Sequence, residues 1–322
     1  MLDTDEFDYF PLKDGVYPAS SVKMVRMSTL PSEHKDHFQI DRWYDLFLKN
    51  KEECRKEDLP RYYQTKPGVS RAPIIKFIIQ KLIAEYPHMF EWVSNVNKLW
   101  CKRRLEFLEF DEEYNLISDE DLFNNKSRYV DAFDALAMQV PEDLLICSLD
   151  ENENDFISSA HLMAPAEWSA EWVIGKSFAQ IHEGVKRADG THVIKNPSGM
   201  VKGVIRMPEP VQRVGAISFR SDTVLNLHPE KSVKNKWTWD AEQQVFLRFE
   251  RQTVTPFPEI NSFLFTVKGY WANLLHPKRI DAAIQAIENG NPNAYYRSFL
   301  EKESNNLLKF LKERRQNDQI YR

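Results

Sequence analysis

The densest run of groups able to do chemistry is LRFERQT at 247–253. It lies in a stretch, 245–270, that reads as two strands joined by a turn. The first covers 245–254 and is broken by Pro256 and Pro258; the second covers 262–267. Successive strand side chains point to opposite faces. Phe246, Arg248, Glu250 and Gln252 therefore share one face, and Leu247, Phe249, Arg251 and Thr253 the other. A half-buried strand normally segregates apolar from polar residues, yet here both faces turn polar at Arg251-Gln252-Thr253. Inward charges need partners, because burying one unpaired is costly. The run either satisfies itself as a structural network, which strand chemistry alone favours, or lines a pocket. Glu250 could be a proton acceptor with a tuned pKa, or one half of an ion pair with Arg248 or Arg251.

Of the eight histidines, none sits in an HExxH motif or a Cys/His finger. His34 and His37 lie in a polar arm and read as surface residues. His182 differs: it follows Phe178 and Ile181 at helical spacing and precedes a glycine-containing turn. A histidine there can point inward as a metal or haem ligand, or bond the free carbonyls of the helix end. No Ser/His/Asp or Cys/His arrangement is indicated locally. Cys54, Cys101 and Cys147 form neither a disulfide framework nor a zinc or iron–sulfur spacing, and a reducing cytoplasm is their simplest home. The net charge of −5 gives no electrostatic case for nucleic acid. GxGxxG and Walker-type loops are absent. The acidic start, MLDTDEFDYF, is not a signal peptide, and no apolar run approaches membrane-spanning length, so a soluble protein is expected.

These groups must be positioned by a chain of 322 residues with 42% hydrophobic content and only 10 glycines, which favours packed elements over linkers. Residues 1–40 read as an arm, and 41–322 as a single α+β unit. Its helical N-terminal layer spans 41–138: a helix at 41–57, a second capped by Ser70 with Pro73 in its first turn and running to Pro87, and a short third at 89–99. Residues 105–117 mix strand-like and turn-like pieces, and 131–138 is helical. A core at about 139–275 begins with strands at 143–149 and 156–163 around a charged turn, an antiparallel hairpin. Residues 165–172 read as a helix with Trp168 and Trp172 on one face, ended by Gly175. Residues 186–202 read as loop, 204–222 as at least one extended segment and 226–240 as loop. After the 245–270 hairpin, helices at 277–288 and 293–315 close the chain.

Taken in order, PEDLLICSL at 141–149, the Trp168 segment, IGKSFAQIH at 174–182, LRFERQT at 247–253 and LFTVKGY at 264–270 resemble the family of haem-dependent oxidative N-demethylase alpha subunits. The resemblance runs over about 131–297, with a weaker helical match upstream. It implies a PAS-like antiparallel sheet holding a b-type haem. The implied activity is oxidative removal of a methyl group from a small secondary amine, with O2 consumed and formaldehyde released. Electrons would come from NADPH through flavin and iron–sulfur partner proteins, a separate reductase. Residue by residue, the resemblance makes His182 the axial iron ligand and Glu250 a distal acid/base. Arg248, Arg251 and Gln252 orient Glu250 or pair with haem propionates. Lys268, where the family usually has arginine, also serves the propionates, and Tyr270 is a hydrogen-bonding group of the pocket. The chain departs from the family in two places. Val214-Gly215-Ala216 follows Arg213 where an Asn-Trp pair is usual, and Glu183-Gly184-Val185 replaces a proline-containing turn. Readings of another class stay open: a non-catalytic PAS-like haem or ligand sensor, or a family member that has lost haem.

Overall fold

The computed structural model describes residues 10–12, 14–15, 24–121, 128–184, 192, 194–231, 236–290 and 301–320. In the arm, Val25–Arg26 forms a two-residue strand, β1; helix α1 (Tyr44–Tyr62) then runs into β2 (Tyr63–Thr65), and α2 (Ala72–Glu85) follows. Four short strands come next, β3 (Phe90–Val93), β4 (Lys98–Cys101), β5 (Glu106–Phe110) and β6 (Leu116–Asp121), then α3 (Ala132–Ala137). The hairpin of β7 (Asp143–Leu149) and β8 (Asp155–His161) leads into helices α4 (Ala170–Val173), α5 (Phe178–Ile181) and α6 (Pro197–Ile205). Three long strands, β9 (Val211–Arg220), β10 (Phe246–Phe257) and β11 (Ser262–Asn273), precede α7 (Pro277–Glu288) and α8 (Glu301–Ile320).

Seven strands form one sheet in the order β1-β9-β10-β11-β7-β8-β2, and β3 to β6 form a separate four-stranded meander. Every strand pairing is antiparallel. Among the described residues the chain is thus mixed α and β with antiparallel sheets, as the sequence predicts. No described helix is long and apolar enough to cross a membrane.

Strand parity divides the large sheet into two faces with different coverings. On the back face, Leu144, Ile146 and Leu264 pack under α2, α3 and the small meander. Further along that face, Leu247, Phe249, Tyr270 and Ala272 pack under α7 and α8. The front face presents Leu145, Cys147, Val254 and Phe263 to α4, α5 and α6. Helix α2 shows why it docks: Ile74, Ile75, Ile78, Ile79 and Leu82 are its buried residues, one stripe at helical spacing.

Several sequence expectations change. Residues 89–99 are a β3–β4 hairpin, turned by Ser94–Val96 and by Asn97 in the left-handed region (φ 48°), and not a helix. Within β4, Leu99 and Cys101 are buried while Lys98 and Trp100 are only partly so, a period of two that a short apolar run conceals. The layer before β7 is therefore three helices plus a sheet. Ser70 does not cap α2; Arg71 takes the N-cap position without a side-chain bond there, and turns to Asp131 at 2.7 Å. Helix α1 continues beyond 57 across a kink at Asp58, two residues before Pro60. Proline does not end β10 either. Pairing with β9 stops at Val254, so Pro256 lies where one edge of the strand is free, a position that tolerates the missing N–H. Part of the expected loop at 186–202 is helix α6, capped by Asn196; residues 186–191 and 193 of that loop lie outside the described residues, as do 293–300 of the expected final helix. Trp168 precedes α4 and packs against the front-face cluster, whereas Trp172 is exposed under the Lys176 ammonium, 4.1 Å from its ring centroid. The two do not share a face.

Candidate functional site

On the front face of β10, Glu250 pairs with Gly269 of β11 on one side and Gly215 of β9 on the other. Neither paired residue carries a side chain, and the Trp271 ring of β11 lies over Gly269. Both its oxygens are held from its own strand: Arg248 Nη1 donates to Oε1 at 2.8 Å and Gln252 Nε2 donates to Oε2 at 2.7 Å. Gln252 is held in turn, because Arg213 Nε donates to its Oε1 at 2.5 Å. Alternation alone puts Arg248, Glu250 and Gln252 in this row, and the register adds Arg213. Arg248 is only 1% exposed. Its guanidinium lies 5.4 Å from the Trp271 ring centroid, and its Nε and Nη2 have no hydrogen-bond partner among the described residues.

The departure at 214–216 now has a structural meaning. Between Arg248 and Glu250 the register with β9 shifts, moving from Ser218 to Gly215, so β9 carries one extra residue. This is a β-bulge, a device that bends a strand and re-aims side chains. Ala216 takes the left-handed conformation that it requires, φ 50°, at a cost of about 1 kcal/mol for a residue with a Cβ. The bulge is what sets Gly215 opposite Glu250.

Asp143, at the start of β7, projects onto the same face. Its Oδ1 accepts from the Met163 and Ala164 N–H groups at 2.7 and 3.0 Å. Burial pushes its carboxyl up to about 6; the charge of Lys51 opposes this and that of Glu250 adds to it. Lys51, buried on α1, donates to the carbonyls of Ala137 and Glu142 at 2.8 and 2.6 Å, and burial lowers its ammonium to about 8.

His182 ends α5, a helix fixed by a reciprocal cap between Ser177 and Gln180. Its ring stacks on Phe178 with centroids 4.0 Å apart and meets Trp168 edge-on at 5.7 Å. Both aromatics pack against the cluster that contains Val254, so His182 stands on the same side of the sheet as Glu250. Its Nδ1 lies 2.9 Å from the Phe178 carbonyl oxygen. A carbonyl can only accept, so Nδ1 carries the hydrogen and Nε2 keeps its lone pair. Burial pushes the imidazole down to about 4, opposed by the Phe178 hydrogen bond and aided by the Arg213 charge. The ring is neutral at pH 7, the form a metal needs.

Arg251, Lys268 and Tyr270 lie elsewhere. They occupy the back face, and the structure does not bring them together with His182 and Glu250. Arg251 donates to Gln212 Oε1 at 2.7 Å and to the carbonyls of His37 and Asp36 at 2.9 and 2.6 Å. Lys268 donates to the Gln39 carbonyl at 2.5 Å and to Asp41 Oδ2 at 2.6 Å; burial lowers its pKa. Tyr270 stacks on Phe249 at 5.6 Å beneath α7 and α8. The two cations expected at haem propionates instead anchor the arm. His37, expected at the surface, is buried there, edge-on to Phe77 at 4.9 Å. Arg213, Asp143 and Trp271 were not singled out in the sequence. A signal existed only for Asp143, the one acid opening an otherwise apolar strand.

A surface cleft of about 430 Å3 opens between α2, the β5–β6 turn and α3, with Arg71, Tyr114 and Asp131 in its lining. Its charges close on each other: Asp131 accepts from Arg71 at 2.7 Å and from the Tyr63 hydroxyl at 2.6 Å. That is a junction between elements. Among the described residues, no three His, Cys, Asp or Glu side chains converge to hold a bare metal ion. The front face offers a different donor set: one neutral imidazole with a free Nε2, two arginines, and a guanidinium edge without a partner. A single neutral imidazole is the donor that a metal already carried in a macrocycle would take from the protein. Against known families, the description "haem-dependent oxidative N-demethylase, alpha subunit-like" matches residues 28–296, from the arm to beyond α7.

Proposed function

The chain belongs to the haem-dependent oxidative N-demethylase, alpha subunit-like family, and from that premise we propose that it is a haem oxidoreductase that demethylates a small amine. The observation that carries this reading is His182: neutral, its Nδ1 tied to the Phe178 carbonyl, its Nε2 left for iron. When bound, haem b would supply the O2 activation that no side chain can. In net terms, an N-methyl amine, O2, two electrons and two protons give the demethylated amine, formaldehyde and water.

The chain's own residues bind and orient. Glu250 takes the substrate ammonium and can accept a proton from it, using the lone pairs that Arg248 and Gln252 leave free. Those two bonds fix the carboxylate in one orientation, and Arg213 fixes Gln252. Arg248 and Arg213 are the arginines of this face, whereas Arg251 and Lys268 lie on the other. The missing side chain at Gly269 leaves room beside Glu250 for the Trp271 ring and the Arg248 guanidinium. We read the β7–β11 sheet with α4 to α6 as the PAS-like core, in a single unit from residue 41 with the arm before it. The electrons would come from NADPH through separate flavin and iron–sulfur proteins; the words "alpha subunit" in the family description support a partner subunit in general. Cys54, Cys101 and Cys147 are buried free thiols, which suits a reducing compartment such as the cytoplasm.

One observation favours a second reading, a haem sensor without turnover: both Glu250 oxygens are already bonded within the protein. The two readings part on a single assay. Haem-loaded protein, given a reductant, O2 and small N-methyl amines, should release formaldehyde in step with O2 uptake. Glu250→Gln should keep its haem and lose about a hundredfold or more in turnover. Haem uptake with no formaldehyde from any amine would leave the sensor.

A further inference from the structure

We infer that the free edge of Arg248 binds a carboxylate, so that the substrate of this site is a small N-methylated amino acid and not a simple dialkylamine. The inference rests on the reading of Glu250 as the holder of the substrate amine. Arg248 spends one nitrogen, Nη1, on Glu250. The nitrogens without a partner among the described residues, Nε and Nη2, form the edge that makes two parallel bonds to a carboxylate. A guanidinium 1% exposed rarely leaves such an edge unmet, because the desolvation cost is carried in full.

Gly269 and Trp271 flank that edge without offering it an acceptor. A Cβ on Gly269 would lie 3.2 Å from Arg248 Nη2 and 3.1 Å from the Trp271 ring. Any other residue at 269 would press on the guanidinium. The β9 residue opposite Arg248 is the small Ser218, and Trp271 walls the remaining side. Charge decides the class of ligand. Arg248 and Glu250 stand 2.8 Å apart as neighbouring plus and minus, the complement of an amino-acid zwitterion with its ammonium one carbon from its carboxylate. A dialkylammonium alone would add positive charge beside Arg248 and Arg213 and leave the edge unmet.

Two carboxylates could occupy this edge, the substrate's or a haem propionate, and one set of titrations separates them. Calorimetry on the wild-type protein, haem-free and haem-loaded, compares N-methylglycine with N-methylglycinamide and dimethylamine. The acid should bind about tenfold or more tightly than its neutral amide in both forms, and Arg248→Lys, which keeps the charge but loses the fork, should erase most of that preference. Equal binding of acid and amide, or no measurable binding of the acid, overturns the inference. Haem and its dimethyl ester are then titrated into wild type and Arg248→Lys. The ratio of the two affinities is expected to be the same in both proteins. A loss of haem affinity in Arg248→Lys that vanishes with the ester gives the edge to a propionate and overturns the substrate assignment. If the protein takes up no haem yet still prefers the acid, the carboxylate site stands and the demethylase reading falls.

Discussion

Arg248 and Glu250 form an ion pair removed from water, 2.8 Å apart with side chains 1% and 8% exposed. Breaking such a pair from one side costs more than removing both charges, because the survivor stays buried and uncompensated. Arg248→Met should lower stability by about 3 kcal/mol or more in urea unfolding, and Arg248→Met combined with Glu250→Gln should recover most of that. A double variant no better than the single one would mean that the pair is not coupled. This pairing was half legible. Alternation along the strand put Glu250 between Arg248 and Gln252 on one face, and that is where it is bonded. The glycines flanking Glu250 come from two other strands and could not be read without the register. At His182 the sequence offered two readings, a ligand or a bond to the helix-end carbonyls. They do not exclude each other: the bond from Nδ1 to the Phe178 carbonyl is what leaves Nε2 for a metal.

The β10–β11 hairpin does two jobs, one per face. In front it carries Arg248, Glu250 and Gln252; behind, Arg251 and Lys268 hold the chain at 36–41. Arg251→Met should therefore act on the arm. It should cost about 2 kcal/mol or more through the lost bonds to a charged donor, and speed proteolysis at 30–42 while haem uptake persists. Haem loss with an unchanged cleavage pattern would return Arg251 to the cofactor. Here sequence reasoning fell short for a physical reason. Both faces of the strand are polar, and nothing local says that one polar face meets the protein's own arm, over two hundred residues earlier in the chain. Strands β7 and β8 were legible from their apolar runs around a charged turn, and α7 from its stripe. The β3–β4 hairpin was not, because a short apolar run does not fix its own period.

Across the whole molecule, buried histidines make stability depend on pH. Burial lowers His161 and His182 to about 4 from 6.5, and puts His37 well below 6.5. Above pH 6.5 neither state is protonated. As pH falls from 6.5 to 4, the unfolded chain takes up protons that the folded one refuses, so stability drops, by about 3 kcal/mol for a site such as His161. Asp143 works the other way: its carboxyl sits at about 6 against 3.8, so below pH 6 the folded state gains a proton first and some stability with it. Burial raises Asp36, Glu85 and Glu142 in the same way, but Glu52 and Asp134, despite burial, are held low by their hydrogen-bonded partners and lose their contribution in acid as the imidazoles do. Tm should fall from pH 7 to about pH 4.5, and a flat or rising Tm would contradict this. The most direct test of the central claim is the visible spectrum of the protein supplied with haem, wild type against His182→Ala, across about pH 5 to 8. A neutral His182 with a free Nε2 predicts a full Soret band that holds across this range, because no proton competes for the ligand, and whose loss in His182→Ala is reversed by added imidazole. No band in the wild type, or a band unchanged in His182→Ala, would contradict it.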